Sequence, residues 1–160
     1  MKKVLVVNGP NLNMLGKREP AIYGNANFGD IKKRLVMLAK KLKVGVDFFQ
    51  SNHEGKIVDK IQNSTKVSGI IINPAAYTHT SIAIRDALTS ISVPTIEVHI
   101  SNIYARENFR QKSCIAPIVI GQISGLGIDG YLLALKKLGA ANMDDIFEME
   151  QSTQKTKVYP

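Results

Sequence analysis

Two short runs of this chain are wholly apolar and end directly in Asn: Val4-Leu5-Val6-Val7 before Asn8 and Ile70-Ile71-Ile72 before Asn73. Both are too short for a helix, and both are rich in β-branched side chains. Neither alternates apolar with polar residues, as a strand with one wet face would. They therefore read as strands buried on both faces. Such strands belong to parallel sheets covered by helices on each side.

The rest of the chain supplies the matching units. Val44 to Phe49, Val93 to Ile100 and Ile118-Val119-Ile120 complete a set of five strands. Between them apolar residues recur at helical spacing. Ile31, Leu35, Leu38 and Leu42 form one stripe, with Asp30 as a candidate cap. Ile57, Val58 and Ile61 form a second, with Asn52 as a candidate cap. Ile84, Ala87, Leu88 and Ile91 form a third. Tyr131, Leu132, Leu135 and Leu138 form the last. Repeated βα units with five strands suit a flavodoxin-like α/β fold of order 2-1-3-4-5, with helices on both faces. The pattern predicts one domain over residues 1–140, with no internal repeat. Residues 141–160 are acidic first and then rich in Gln, Thr and Lys, and read as a C-terminal tail.

Bulk properties narrow the function classes. No apolar stretch approaches membrane-spanning length, and the run behind Lys2-Lys3 is too short for a signal peptide. The single cysteine, Cys114, excludes an internal disulfide framework and fits a reducing cytoplasm. It reads more simply as a small apolar residue than as a nucleophile. The formal net charge of +8 invites a nucleic-acid reading. However, Lys32, Lys33, Arg34, Lys40, Lys41 and Lys43 are concentrated on one predicted helix, mostly off its apolar positions. No aromatic residues alternate with them, so they read as a solvated face. Anionic small molecules remain the better partners.

In such folds ligands bind beyond the carboxyl ends of the strands, near the point where strand order reverses. Three polar segments should converge there. The first, Asn8 to Tyr23, begins Asn8-Gly9-Pro10-Asn11 and carries Arg18 and Tyr23 in a loop longer than most. The second, Asn73 to Thr80, offers an amide at Asn73 and an imidazole at His79. The third, Glu97 to Arg110, places Glu97 and His99 on one strand face, because side chains alternate. A carboxylate beside a histidine fixes its orientation, which suits a general acid. A structural Glu–His pair at a strand end is the plainer alternative. The backbone N–H groups of Ile100 and Ser101 could hold an anion. Arg106 and Arg110 are four apart, so on a helix they would share a face. They are either a solvated pair or a carboxylate clamp.

Neither nucleotide fingerprint follows the first strand. Gly125-Leu126-Gly127-Ile128-Asp129-Gly130 matches G-x-G-x-x-G only superficially, and reads as close backbone packing before the last helix. His53, His79 and His99 lack zinc spacing.

Together the motifs resemble the type II 3-dehydroquinate dehydratases. They are N-G-P-N-L-N-x-L-G-x-R-E-P-x-x-Y-G, N-P-x-A-Y-T-H-T-S, E-V-H-I-S-N and R-E-x-F-R-x-x-S, and the resemblance spans about residues 3–140. It implies cofactor-free loss of water from 3-dehydroquinate through an enolate, within a homododecamer built from trimers. It marks Tyr23 as the base and His99 as the acid supported by Glu97. A phenol has a reference pKa of about 10. A neighbouring cation, here Arg18, favours the phenolate. Asn11, acting through a water, stabilises the enolate oxygen. Asn73, His79, Arg106, Arg110 and the N–H groups of Ile100 and Ser101 hold carboxylate and hydroxyls. Asp86 reaches toward a neighbouring subunit's site. No metal, nucleotide or Schiff base is implied, and neither nucleic acid nor membrane is a partner. Two departures stand out. Ala75 replaces a usual glycine, which matters if φ is positive there. Tyr104 replaces a common histidine.

Two other classes compete. A flavin-binding protein wants a Ser/Thr-rich phosphate loop after the first strand, where this chain is rich in Asn and Pro. A phosphoacceptor domain wants acidic residues there, and none occurs before Glu19.

Overall fold

The computed structural model describes residues 1–16 and 27–140. Within them lie five strands: β1 (Lys3–Asn8), β2 (Gly45–Gln50), β3 (Gly69–Asn73), β4 (Thr95–His99) and β5 (Gly121–Ser124). They form one parallel sheet in the order β2-β1-β3-β4-β5, as the βα pattern predicts. The helices are α1 (Phe28–Leu42), α2 (Glu54–Gln62), α3 (Ile82–Ser90) and α4 (Asp129–Gly139).

The unbroken apolar runs divide between two cores. Val4 and Val6 of β1 face α1 and α4, where Leu35 and Leu135 are fully buried. Leu5 and Val7 face α2 and α3, against Ile57, Ile61 and Ile84. Full burial of each such side chain contributes about 1.5–3 kcal/mol relative to exposure. A strand with both faces covered takes a polar residue only where a hydrogen-bond partner waits for it, and along β1 and β3 no buried polar residue occurs until the sheet ends. Asn8 and Asn73 mark that end, paired in register on β1 and β3. This is where the strand order reverses.

Three local expectations need correction. The last strand is not Ile118-Val119-Ile120. Pro117 lies in a short 3-10 turn, Ala116–Ile118, closed by the Ile118 N–H donating to the Ile115 carbonyl at 2.9 Å. Ladder pairing starts later, and β5 reads Gly-Gln-Ile-Ser, while Ile120 is exposed. An edge strand needs less apolar character than a central one, so apolarity pointed to the wrong segment. The cap of α1 is Asn27 rather than Asp30. Their side chains bond reciprocally to each other's backbone N–H at 3.0 Å, a capping box. Asn52 does not cap α2, whose N-cap is His53. Its Oδ1 instead accepts from the Asn11 N–H at 2.9 Å, tying two loops together.

The basic residues of α1 and Lys43 are exposed, as a solvated face requires. The glycine-rich stretch packs closely at Gly125 and Gly130, as expected, but not at Gly127, where a Cβ would meet nothing within 4 Å. Gly125 adopts φ +87° and its N–H donates to the His99 carbonyl at 3.2 Å. Among the described residues, no helix is long and apolar enough to cross a membrane.

Gly9 joins two site loops. Its N–H donates to the Asn73 carbonyl at 2.8 Å, and a Cβ there would sit 2.2 Å from the Pro74 carbonyl oxygen. Backbone is pressed on backbone, so relief needs both loops to part. Gly9→Ala is expected to cost about 1–3 kcal/mol by overpacking. Chemical denaturation of the two proteins checks this; equal midpoints and slopes would contradict the close approach.

Candidate active site

The carboxyl ends of β1, β3 and β4 open into a cavity of about 570 Å³. That size is typical of small-molecule sites. Of the residues expected to converge, Asn11, Asn73, His79, His99, Ile100, Ser101, Arg106 and Arg110 line it. Glu97 lies directly beneath His99, wholly buried. Asp86 is exposed on α3 and does not line the cavity. Arg18 and Tyr23 lie outside the described residues, as does the expected tail 141–160.

His99 ends β4, on the same face as Glu97. Its Nε2 lies 2.6 Å from Glu97 Oε1. An ionised carboxylate only accepts, so Nε2–H is the donor. Nδ1 then has no protein partner among the described residues. Glu97 is further held by Ser113, whose hydroxyl lies 2.8 and 3.0 Å from its two oxygens. Ser113 Oγ also accepts from the N–H groups of Ile115 and Ala116. Two backbone donors thus orient the hydroxyl, the hydroxyl orients the carboxylate, and the carboxylate orients the imidazole. A buried carboxylate is tolerable only with such partners. Sequence reasoning did not single out Ser113, although it closes the R-E-x-F-R-x-x-S motif.

His79 is fixed in the same way. Its Nδ1 donates to the Lys112 carbonyl at 2.7 Å, since a carbonyl can only accept. That leaves Nε2 for a ligand. His79 ends a 3-10 helix, Ala75–His79, that starts immediately after Asn73-Pro74. Ala75 has φ +54°, so the condition attached to this departure is met. A non-glycine residue there costs about 1–2 kcal/mol. Its N–H donates to Asn73 Oδ1 at 3.1 Å, which offsets part of that strain. Asn11 is also left-handed, with φ +67°, at the start of the Leu12–Met14 turn.

The two arginines do not share a helix. Arg106 follows one 3-10 turn, Ile103–Ala105, and Arg110 ends another, Asn108–Arg110. Short turns replace the continuous helix that a four-residue spacing suggested, yet both residues still reach the cavity wall. Arg106 Nη2 donates to Ser101 Oγ. Arg110 Nε lies 3.7 Å from Glu107 Oε2, and its guanidinium sits over the Phe109 ring. The carbonyls of Ile100 and Ser101 accept from the Gly127 N–H and the Ser124 hydroxyl, which fixes the backbone at the cavity wall. Tyr104 is exposed and its hydroxyl donates to Gln122 Oε1 at 3.0 Å, away from the cavity lining.

The site therefore joins an oriented imidazole, a second imidazole, two cations and two amides in one cavity. The arrangement can deliver a proton at one wall while binding a small, hydroxylated anion. Comparison with known proteins agrees. The model of the family described as Dehydroquinase class II matches residues 2–139. A 3-dehydroquinate dehydratase of Endomicrobium trichonymphae is 75% identical over 139 residues, covering 86% of this chain and 97% of that one. One from Caldicellulosiruptor bescii is 59% identical over 140 residues, with coverage of 86% and 97%. The crystal structure of the type II dehydroquinase of Butyrivibrio crossotus superposes with a TM-score of 0.85 at 50% identity, covering 87% of this chain and 98% of that one. A match over nearly the whole described fold, at this identity, means that the chain belongs to the class II dehydroquinase family, the type II 3-dehydroquinate dehydratases, which are hydro-lyases.

Proposed function

We propose that this chain converts 3-dehydroquinate to 3-dehydroshikimate through an enolate, with Tyr23 as base and His99 as acid. The observation that carries this reading is the Ser113–Glu97–His99 series, which ends at the cavity wall on an imidazole whose Nδ1 has no protein partner among the described residues. The substrate has a ketone, with a proton on the adjacent carbon and a hydroxyl on the next. Tyr23 as phenolate takes the proton, and Arg18 favours that ionised form. Negative charge moves to the ketone oxygen, where Asn11, through a water, supplies a hydrogen bond. Collapse of the enolate expels the β-hydroxyl, and His99 Nδ1–H protonates it as it leaves. Glu97 stabilises the imidazolium through Nε2. The carboxylate and ring hydroxyls are held by Asn73, His79, Arg106, Arg110 and the N–H groups of Ile100 and Ser101. Each step is proton transfer or charge stabilisation by a side chain, so the chemistry needs no cofactor. This reaction serves aromatic amino-acid biosynthesis in the shikimate pathway, and also quinate breakdown.

Purified protein mixed with 3-dehydroquinate is expected to generate the ultraviolet absorbance of a conjugated enone. No absorbance change at saturating substrate would overturn the reading.

The proposal extends to assembly. Asp86 is exposed on α3 while Ile84, Ala87 and Leu88 face the core. An outward carboxylate on the helix that begins at the cavity edge can reach a neighbouring subunit. We expect light scattering to report a dodecamer built from trimers, and dissociated chains to be folded but inactive. A fully active monomer would leave Asp86 an ordinary surface residue.

A further inference from the structure

Beneath the cavity floor three polar side chains are sealed in the core: Asn8 and Tyr131 are 0% exposed and Asn73 is 4% exposed. Asn8 and Asn73 end adjacent strands, and Tyr131 comes from α4, which packs across them. The Tyr131 hydroxyl donates to Asn8 Oδ1 at 2.6 Å and accepts from Asn73 Nδ2 at 2.9 Å. Asn73 Oδ1 in turn accepts from the Ala75 N–H at 3.1 Å.

This series has a direction. Asn73 lines the cavity, whereas Asn8 and Tyr131 do not. An amide can sit in either of two flipped orientations of almost equal shape, offering a ligand opposite hydrogen-bonding character. Here both alternatives are resolved. A backbone N–H can only donate, so it selects Oδ1. The phenol's one hydrogen is committed to Asn8 Oδ1, so its oxygen can only accept, and it selects Nδ2. Burial pushes the Tyr131 phenol's pKa up, with the Asn73 hydrogen bond opposing it, and the hydroxyl stays protonated. After both bonds, Asn73 retains one Nδ2 hydrogen and one Oδ1 lone pair.

We propose that Tyr131 is a positioning residue for the reaction: its hydroxyl locks the Asn73 amide in the orientation that presents an N–H to a substrate hydroxyl or carboxylate oxygen. This rests on the reading of Asn73 as a substrate contact. The phenol itself does not touch substrate, and its effect passes through one amide. An alternative role, simple filling of the core, would be served as well by phenylalanine.

The test is a double-mutant cycle with 3-dehydroquinate as substrate, comparing the full-length protein with Tyr131→Phe, Asn73→Ala and the combined variant. A contact made equally in ground and transition states appears in KM rather than kcat. Loss of one oriented hydrogen bond is expected to raise KM about tenfold in Tyr131→Phe, with kcat held within about twofold. In the Asn73→Ala background the same replacement should change KM by less than about twofold, because the amide it acts on is gone. An unchanged KM in Tyr131→Phe would overturn the proposal. So would the same tenfold step in the Asn73→Ala background, or a loss confined to kcat, which reports a smaller folded fraction. If Asn73→Ala alone leaves both constants unchanged, the substrate-contact reading fails, and this proposal fails with it. That outcome is distinguishable from failure of Tyr131 alone. Should Tyr131→Phe not fold, Asn8→Ala removes the acceptor that fixes the phenol's proton, and the same silence beside Asn73→Ala is required.

Discussion

Tyr23→Phe is expected to lower kcat by about 10²–10⁴-fold, the range general acid–base groups contribute. The phenol oxygen is the proposed base, and phenylalanine removes only that atom. Stability should hardly change, because phenylalanine keeps the aromatic ring and nearly the same volume. Substrate affinity should also survive, since the proposed carboxylate and hydroxyl contacts come from Asn73, His79, Arg106 and Arg110. The check is steady-state kinetics beside a thermal melt. A variant with near-normal kcat removes Tyr23 from the mechanism.

His99→Ala should lower kcat by a similar factor of about 10²–10⁴. Unlike Tyr23→Phe it should also lower stability. Glu97 is 0% exposed, and losing the imidazole leaves its carboxylate with Ser113 but without the Nε2–H donor. Leaving a buried group short of a partner costs about 1–3 kcal/mol, and more when it is charged. Equilibrium denaturation should therefore report His99→Ala as less stable than Tyr23→Phe. Equal stability of the two would argue that Glu97 gains little from His99.

The sequence exposes those parts of this protein in which composition and geometry coincide. β1 and β3 are legible because both faces of these central strands are covered by apolar side chains of the helices, so their runs are apolar throughout. Asn8 and Asn73 then announce where the sheet stops. Glu97 and His99 are legible because strand alternation alone puts them together. β5 is hidden because an edge strand is not required to be apolar, and its neighbouring run Ile118-Val119-Ile120 is more apolar than the strand. Pro117 is the clue that this run begins as a turn. The Arg106 and Arg110 placement survives for a reason that spacing does not contain, since two successive 3-10 turns bring both to the wall. Ser113 and Tyr131 are the residues least visible in advance. One lies sixteen positions from the carboxylate it holds and the other fifty-eight from the amide it contacts. Neither separation follows from local periodicity. Tyr131 reads as one more apolar position on α4 until its hydroxyl is seen between two amides.

The division of labour between base and acid is tested most directly by proton exchange in deuterium oxide. The magnetic resonance signal of the hydrogen on the carbon beside the ketone of 3-dehydroquinate is followed with each variant. His99→Ala retains the base, so it should form the enolate and exchange this hydrogen for deuterium while eliminating little water. Tyr23→Phe lacks the base and should neither exchange nor eliminate. Exchange by Tyr23→Phe as fast as by His99→Ala, or elimination by His99→Ala at the unmodified rate, would contradict the assignment of base and acid on which the account stands.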